Sequence, residues 1–132
     1  MKEAAPASSS RRDLPELTFE FARRIVELCR TLDRSPGVSR TLANQLLRAG
    51  TSIGANVEEA QGSQSRADSI AKSYIACKEA RETHYWLRLL GATGVVTTER
   101  LSELTNEANQ LVAILTSIVK NTRSNSNGVN PK

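Results

Sequence analysis

A chain of 132 residues is long enough for one compact domain and too short for two ordinary ones. Its 39% hydrophobic and 24% charged residues, with only four prolines and seven glycines, are the balance of a globular protein and favour an all-α fold. The net charge of +4 comes from 13 Arg and five Lys against 14 carboxylates, and segment 14–123 is only mildly basic, so total charge does not establish nucleic-acid binding.

The opening stretch MKEAAPASSSRRD, residues 1–13, is polar and without an apolar run. It reads as a disordered leader rather than a signal peptide. No later stretch is long and apolar enough to span a membrane, and the expected location is the cytoplasm. The first helix is predicted from about Leu14 or Glu16 to Asp33, because Phe21, Ile25, Leu28 and Leu32 recur at steps of four, three and four. Pro36 and Gly37 break it. The second helix should start near Ser39, a plausible cap, and run to about Gln61, with Leu42, Leu46, Ala49, Ile53, Val57 and Ala60 as its apolar stripe and Gly62 as its stop.

Residues 65–68, SRAD, resemble a capping box and open a third helix from about Arg66 to Leu90. Ile70, Tyr74, Cys77, His84 and Leu87 fall near one of its faces; Ile75, Glu79, Glu82, Trp86 and Leu89 form a second stripe. The fourth helix, Thr98 to about Thr122, places Leu101, Leu104, Ala108, Leu111, Leu115 and Ile118 at alternating steps of three and four. The tail, residues 124–132, is too polar to pack and is expected to be disordered. Short loops between long helices favour antiparallel neighbours, so residues 14–123 are predicted to form an up-down-up-down four-helix bundle. Phe19, Val26, Val112, Ile114 and Val119 lie beyond single stripes, and self-association explains the surplus.

Cys29 and Cys77 sit where apolar residues recur and read as buried thiols rather than a disulfide or metal pair. In GTSIGANVEEAQG, residues 50–62, Gly50 and Gly54 each cost a helix roughly 1 kcal/mol, which close approach of another helix would offset. Ser52, Asn56 and Glu59 line one face of the second helix; Glu79, Glu82 and Trp86, beside Thr83, line one face of the third. The expected arrangement is a structural polar layer joining the two helices, with Asn56 and Glu59 meeting Glu79, Glu82 or Thr83. The alternative is that both sets are partly solvated.

Catalysis and metal binding are not expected. A carboxylate-bridged metal site in a bundle needs Glu-x-x-His from two helices. The single histidine, His84, has Arg81 three positions before it, and Cys77 with His84 supplies only two ligands. There is no Gly-rich phosphate loop and no nucleophile paired with a base. No cofactor is expected.

GTSIGANVEEAQ followed by QSRADSIAKSYIACKEARETHYWLRLL resembles the bacterial "four helix bundle protein" family. That family includes proteins encoded in intervening sequences of 23S rRNA genes and the accessory variability determinants of diversity-generating retroelements. The resemblance covers roughly Phe19 to Val119 and is most specific at SIGAN, QSRAD and KEARETHYWL. It implies a homopentameric barrel and association with nucleic acid or, in retroelements, with a reverse transcriptase. Ser52, Asn56, Glu59, Glu79, Glu82 and Trp86 fall on motif positions, whereas Glu58 stands where relatives often carry a small residue.

Two partner classes follow. Arg23, Arg24, Arg30, Arg34 and Arg40 on the first helix and its turn, with Lys72, Lys78, Arg81 and Arg88 along the third, are the candidate contacts to RNA or DNA. Five copies would multiply this modest basic surface. Any single Arg could instead be solvated and paired with Glu16, Glu20, Glu27 or Asp33. The chain has no sequence-reading motif and only five aromatic residues, so binding should be driven by shape or charge. The other class is a protein-interaction scaffold for a polymerase or ribosomal component, without direct nucleic-acid binding.

Overall fold

The structure, a computed structural model, describes residues 13–129, with side chains described through Asn121. Residues 1–12 and 130–132, and with them most of the expected leader and the end of the expected tail, lie outside the described residues. Four helices follow in order: α1 (Leu14–Leu32), α2 (Val38–Gln61), α3 (Arg66–Ala92) and α4 (Thr98–Val129). They form the antiparallel four-helix bundle that the periodicity predicts. No described helix is long and apolar enough to cross a membrane.

Local chemistry explains the boundaries. Pro15 stands in the first turn of α1, where a missing N–H costs nothing. Gly37 precedes α2 with φ of 94°, a backbone conformation that L side chains rarely adopt. The helix therefore starts at Val38, one residue before the expected Ser39 cap. Ser65 caps α3 as predicted, its hydroxyl accepting the Asp68 N–H at 3.0 Å. Thr97 does the same for α4 by accepting the Arg100 N–H at 3.2 Å. The α4 backbone stays helical to Val129, beyond the expected Thr122. No proline interrupts this stretch, and once a helix is nucleated each added residue forms one more hydrogen bond.

The core is built from Phe21 and Ile25 of α1, Leu46 and Ile53 of α2, Leu87 and Leu90 of α3, and Leu101 and Leu115 of α4, all almost fully buried. Each contributes about 1.5–3 kcal/mol by leaving water. On α4, Val119 rather than Ile118 closes the stripe, so one residue read as surplus belongs to the core. Leu42 and Ala60 of α2 are only partly buried, and Ala43, Gly50 and Gly54 take their share of the inner face.

The larger departure is in α3. Its buried residues are Ala76, Cys77, Ala80, Thr83, Leu87 and Leu90, and Tyr74, expected near the inner face, is 56% exposed. The inner face of α3 carries alanines and a threonine because it packs between α2 and α4, where small side chains let helices approach. The large apolar residues that suggest a stripe lie partly to one side.

α1 packs extensively on α2, α2 on α3 and α3 on α4, whereas α1 and α4 touch only slightly. The approach of α1 to α2 is set at two glycines. A Cβ on Gly50 would come within 2.9 Å of Ile25 Cγ2, and one on Gly54 within 3.2 Å of Thr18 Oγ1 and 3.3 Å of the Thr18 carbonyl oxygen. Thr18 is fully buried and donates its hydroxyl to the Leu14 carbonyl at 2.9 Å, so the close contact strands no polar group.

Gly54→Leu should therefore lower the thermal midpoint, at a cost of about 1–3 kcal/mol or more, because backbone atoms cannot yield as a side-chain tip can. Gly54→Ala should also destabilise despite the helix propensity it gains. Gly62→Ala is the control: its Cβ would meet only the Glu58 carbonyl oxygen, at 3.8 Å. Circular-dichroism melts should place Gly62→Ala at or above the parent and both Gly54 variants below it.

Candidate nucleic-acid interface

The polar residues between α2 and α3 form ion pairs between the helices. Arg48 of α2 reaches both Glu79 (3.4 Å) and Glu82 of α3, and Lys72 of α3 reaches Glu59 of α2 at 3.0 Å. Trp86 donates its indole N–H to Glu82 at 3.0 Å. Asn56 does not cross to α3: its amide donates to the Ser52 carbonyl (2.9 Å) and hydroxyl (3.0 Å) of its own helix. Thr83 is buried in the core and donates to the Glu79 carbonyl at 2.8 Å.

The expected pairing of Asn56 and Glu59 with Glu79, Glu82 or Thr83 is thus replaced by one in which each acid faces a cation. Setting Glu59 against Glu79 or Glu82 would oppose like charges, and the antiparallel register avoids it. Arg48 lies outside the polar rows expected from sequence, although the residue order carries a signal for it. It precedes Ser52 by one step of four and so extends the same polar face of α2. Lys72 likewise continues the Glu79 face of α3 toward its N-terminus.

Carboxylates from α1 and α4 are also engaged. Arg23 pairs with Glu20 and Glu27 on its own helix. Arg24 spans from α1 to α4, meeting Glu103 at 2.9 Å and Glu107 at 2.7 Å. Arg40 pairs with the Asp33 carboxylate and donates to the Asp33 carbonyl, closing the end of α1. Among the described residues, five cations therefore hold eight carboxylates.

Of the candidate contacts to RNA or DNA, Arg23, Arg24, Arg40 and Lys72 are thus committed to internal ion pairs. Arg30, Arg34, Lys78, Arg81 and Arg88 are exposed and have no ion-pair partner among the described residues; Arg81 reaches only the Thr116 hydroxyl of α4, at 3.5 Å. Arg30, Arg34 and Arg88 lie toward the end of the bundle that carries the α1–α2 and α3–α4 turns. Lys78, Arg81 and Arg88 share the outer face of α3.

Both cysteines are free and buried. Cys29 donates to the Ala43 carbonyl at 3.4 Å, and burial pushes its thiol up to about 11. Cys77 lies 3.4 Å from the Thr116 hydroxyl. Burial, and secondarily Arg88, holds the His84 imidazole below its ordinary 6.5. Among the described residues, no three His, Cys, Asp or Glu side chains converge as a metal-holding group.

Residues 13–117 match the 23S rRNA-intervening sequence protein family. The chain belongs to that family. A crystal structure from Bacteroides thetaiotaomicron, of a protein of unknown function from the S23 ribosomal protein family, is similar to it. The two share 44% sequence identity with a TM-score of 0.74, over 80% of this chain and 97% of that one. No curated protein matches the sequence. The S23 relationship agrees with the resemblance carried by SIGAN, QSRAD and KEARETHYWL.

Two outcomes test the site. Arg48→Met should cost about 1 kcal/mol, since the arginine is half exposed and water screens the pair. A double-mutant cycle with Glu79→Gln should show coupling between them, and additive losses would separate the two residues. His84 should titrate below 6.5 by NMR. The folded chain then favours the neutral ring more than the unfolded chain does. Its stabilising effect is complete above 6.5 and is lost as pH falls through the lower folded midpoint.

Proposed function

We propose that this 23S rRNA-intervening sequence protein is a non-enzymatic, cytoplasmic, homo-oligomeric adaptor. It associates with RNA or DNA through charge and with weak sequence preference. The observation that carries this reading is the allocation of charge. Five cations absorb eight carboxylates in ion pairs, which leaves Arg30, Arg34, Lys78, Arg81 and Arg88 facing solvent. Ion pairing matches these acids to particular cations, so the unpaired cations of α3 make a locally basic face that the net charge of +4 does not reveal. The family's name, which refers to 23S rRNA, supports the same partner chemistry.

The assembly is a pentamer, as the resemblance implies. The slight contact between α1 and α4 leaves an apolar edge that a second copy would cover, with Leu17 43% and Phe19 65% exposed. Val26, Val112 and Ile114, also read as surplus from sequence, are only half-buried. In a ring of five copies the unpaired cations recur on each subunit, and phosphate contacts add. A reverse transcriptase or a ribosomal component would be held alongside the nucleic acid.

Native mass spectrometry should give about five chains per particle, and a stable monomer at micromolar concentration would overturn the assembly. Affinity for RNA should fall steeply with salt. Reversing Lys78, Arg81 and Arg88 to Glu should weaken binding far more than reversing Arg23 and Arg24, whose charges are already matched. The opposite ranking would move the interface to α1. Absence of binding at low salt would favour a protein scaffold for a polymerase or ribosomal partner.

A further inference from the structure

Tyr74, Lys78, Arg81, Tyr85 and Arg88 follow one another at steps of four, three, four and three, so they stand in one line along the outer face of α3. At 1.5 Å per residue the line is about 21 Å long. Tyr74 is 56% and Tyr85 48% exposed, and the core uses neither ring. Tyr85 meets the Trp86 ring edge-to-face, with centroids 5.1 Å apart and planes at 73°, which restricts its orientation. Neither ring is buried in the core, and apart from the Tyr85–Trp86 edge contact their place in water beside cations calls for another role.

The surroundings favour a polyanion. Of the glutamates of α3, Glu79 faces α2, and Glu82, one turn from Lys78 and Tyr85, is engaged by Arg48 of α2. Residues 83–98 and 108–132 contain no carboxylate at all. The Cys77–Thr116 contact sets the antiparallel register of α3 and α4 and brings the exposed Lys120 to the level of Tyr74. The α3 face and the adjoining second half of α4 therefore carry cations, neutral polar groups and aromatic rings, and the acid beside them, Glu82, is already paired with Arg48.

We propose that this face of α3 is a stacking platform for single-stranded nucleic acid, with bases on Tyr74 and Tyr85 and phosphates on Lys78, Arg81 and Arg88. The proposal rests on the nucleic-acid reading above and departs from the expectation that charge or shape alone drives binding. Stacking needs unpaired bases, because bases inside a duplex present no free ring face. Alternation of rings with cations also suits a charged strand better than a dry protein interface, whose centre is depleted of charge.

The test uses the full chain with a fluorescently labelled adenine homopolymer RNA, offered single-stranded and as its duplex with the uridine homopolymer. Single strand should bind more tightly than duplex and should quench Trp86, the chain's single tryptophan. The double variant Tyr74→Leu, Tyr85→Leu should lose about tenfold in single-strand affinity per tyrosine. Its duplex affinity and salt dependence should stay unchanged, its melting temperature should fall only by what loss of the Tyr85–Trp86 edge contact accounts for, and Tyr→Phe at both sites should restore both stability and binding. Salt-dependent binding that is indifferent to strandedness or to the Leu variant would overturn the platform while leaving the charge-driven reading intact. No binding of either RNA at low salt would overturn both. So would capture of polyglutamate in place of RNA, which would make the face a site for acidic protein.

Discussion

α1 lies against α2 at the two positions where α2 has no side chain, with its backbone at Gly54 and the Ile25 side chain at Gly50, and much of the molecule follows from that contact. Gly54 admits the Thr18 carbonyl and Gly50 admits Ile25, so α1 sits closer to α2 than side chains of ordinary size would permit. Because α1 is drawn toward α2, it meets α4 only slightly. The gap is bridged by Arg24, whose guanidinium spans Glu103 and Glu107. What remains of that edge is apolar, with Leu17, Phe21, Leu111 and Ile114 around the cleft between the helices. The glycines thus give up roughly 2 kcal/mol of helix propensity in return for packing, and the same choice exposes an edge suited to another subunit.

A second constraint is electrostatic. The facing polar rows of α2 and α3 carry opposite charges at matching heights, Arg48 against Glu79 and Glu82, and Glu59 against Lys72. Sliding α3 by a turn, or reversing it, would set acid against acid. These half-exposed pairs contribute little net stability each, but they discriminate between registers because mismatched like charges cost energy. They also draw the α3 carboxylates to one side. The neighbouring outer face of the helix is left with unpaired cations and two tyrosines, so one arrangement serves both register and surface charge.

The buried threonines show how the interior tolerates polar atoms. Thr18 and Thr83 donate their hydroxyls to carbonyls one turn back in their own helices. Among the described residues no buried side-chain nitrogen or oxygen lacks a partner. Small hydroxyl residues at these positions allow close helix packing without an unsatisfied group, whereas a leucine would hold the helices apart.

Helix number, the turns, the Ser65 cap, and the α1 and α4 stripes were legible in the residue order, because periodicity and capping are local properties. Close packing at Gly50 and Gly54 was legible too, since two glycines inside a helix need a compensating contact. The α3 core was not. Its inner face is made of alanines and a threonine, which leave a weak apolar signal, while Tyr74 suggested a stripe that the bundle leaves in water. Nor could sequence choose partners. Asn56, Glu59, Glu79 and Glu82 were visible as polar rows, but which acid meets which cation depends on the relative height of two helices. The residue order by itself determined the four helices, their antiparallel sequence and the inner faces of α1 and α4. Only the tertiary structure decided that Arg48 and Lys72 complete the polar layer, and that Lys78, Arg81 and Arg88 remain unpaired. Ion pairing depends on distances of a few ångströms between segments remote in the chain, and helix packing alone sets those distances.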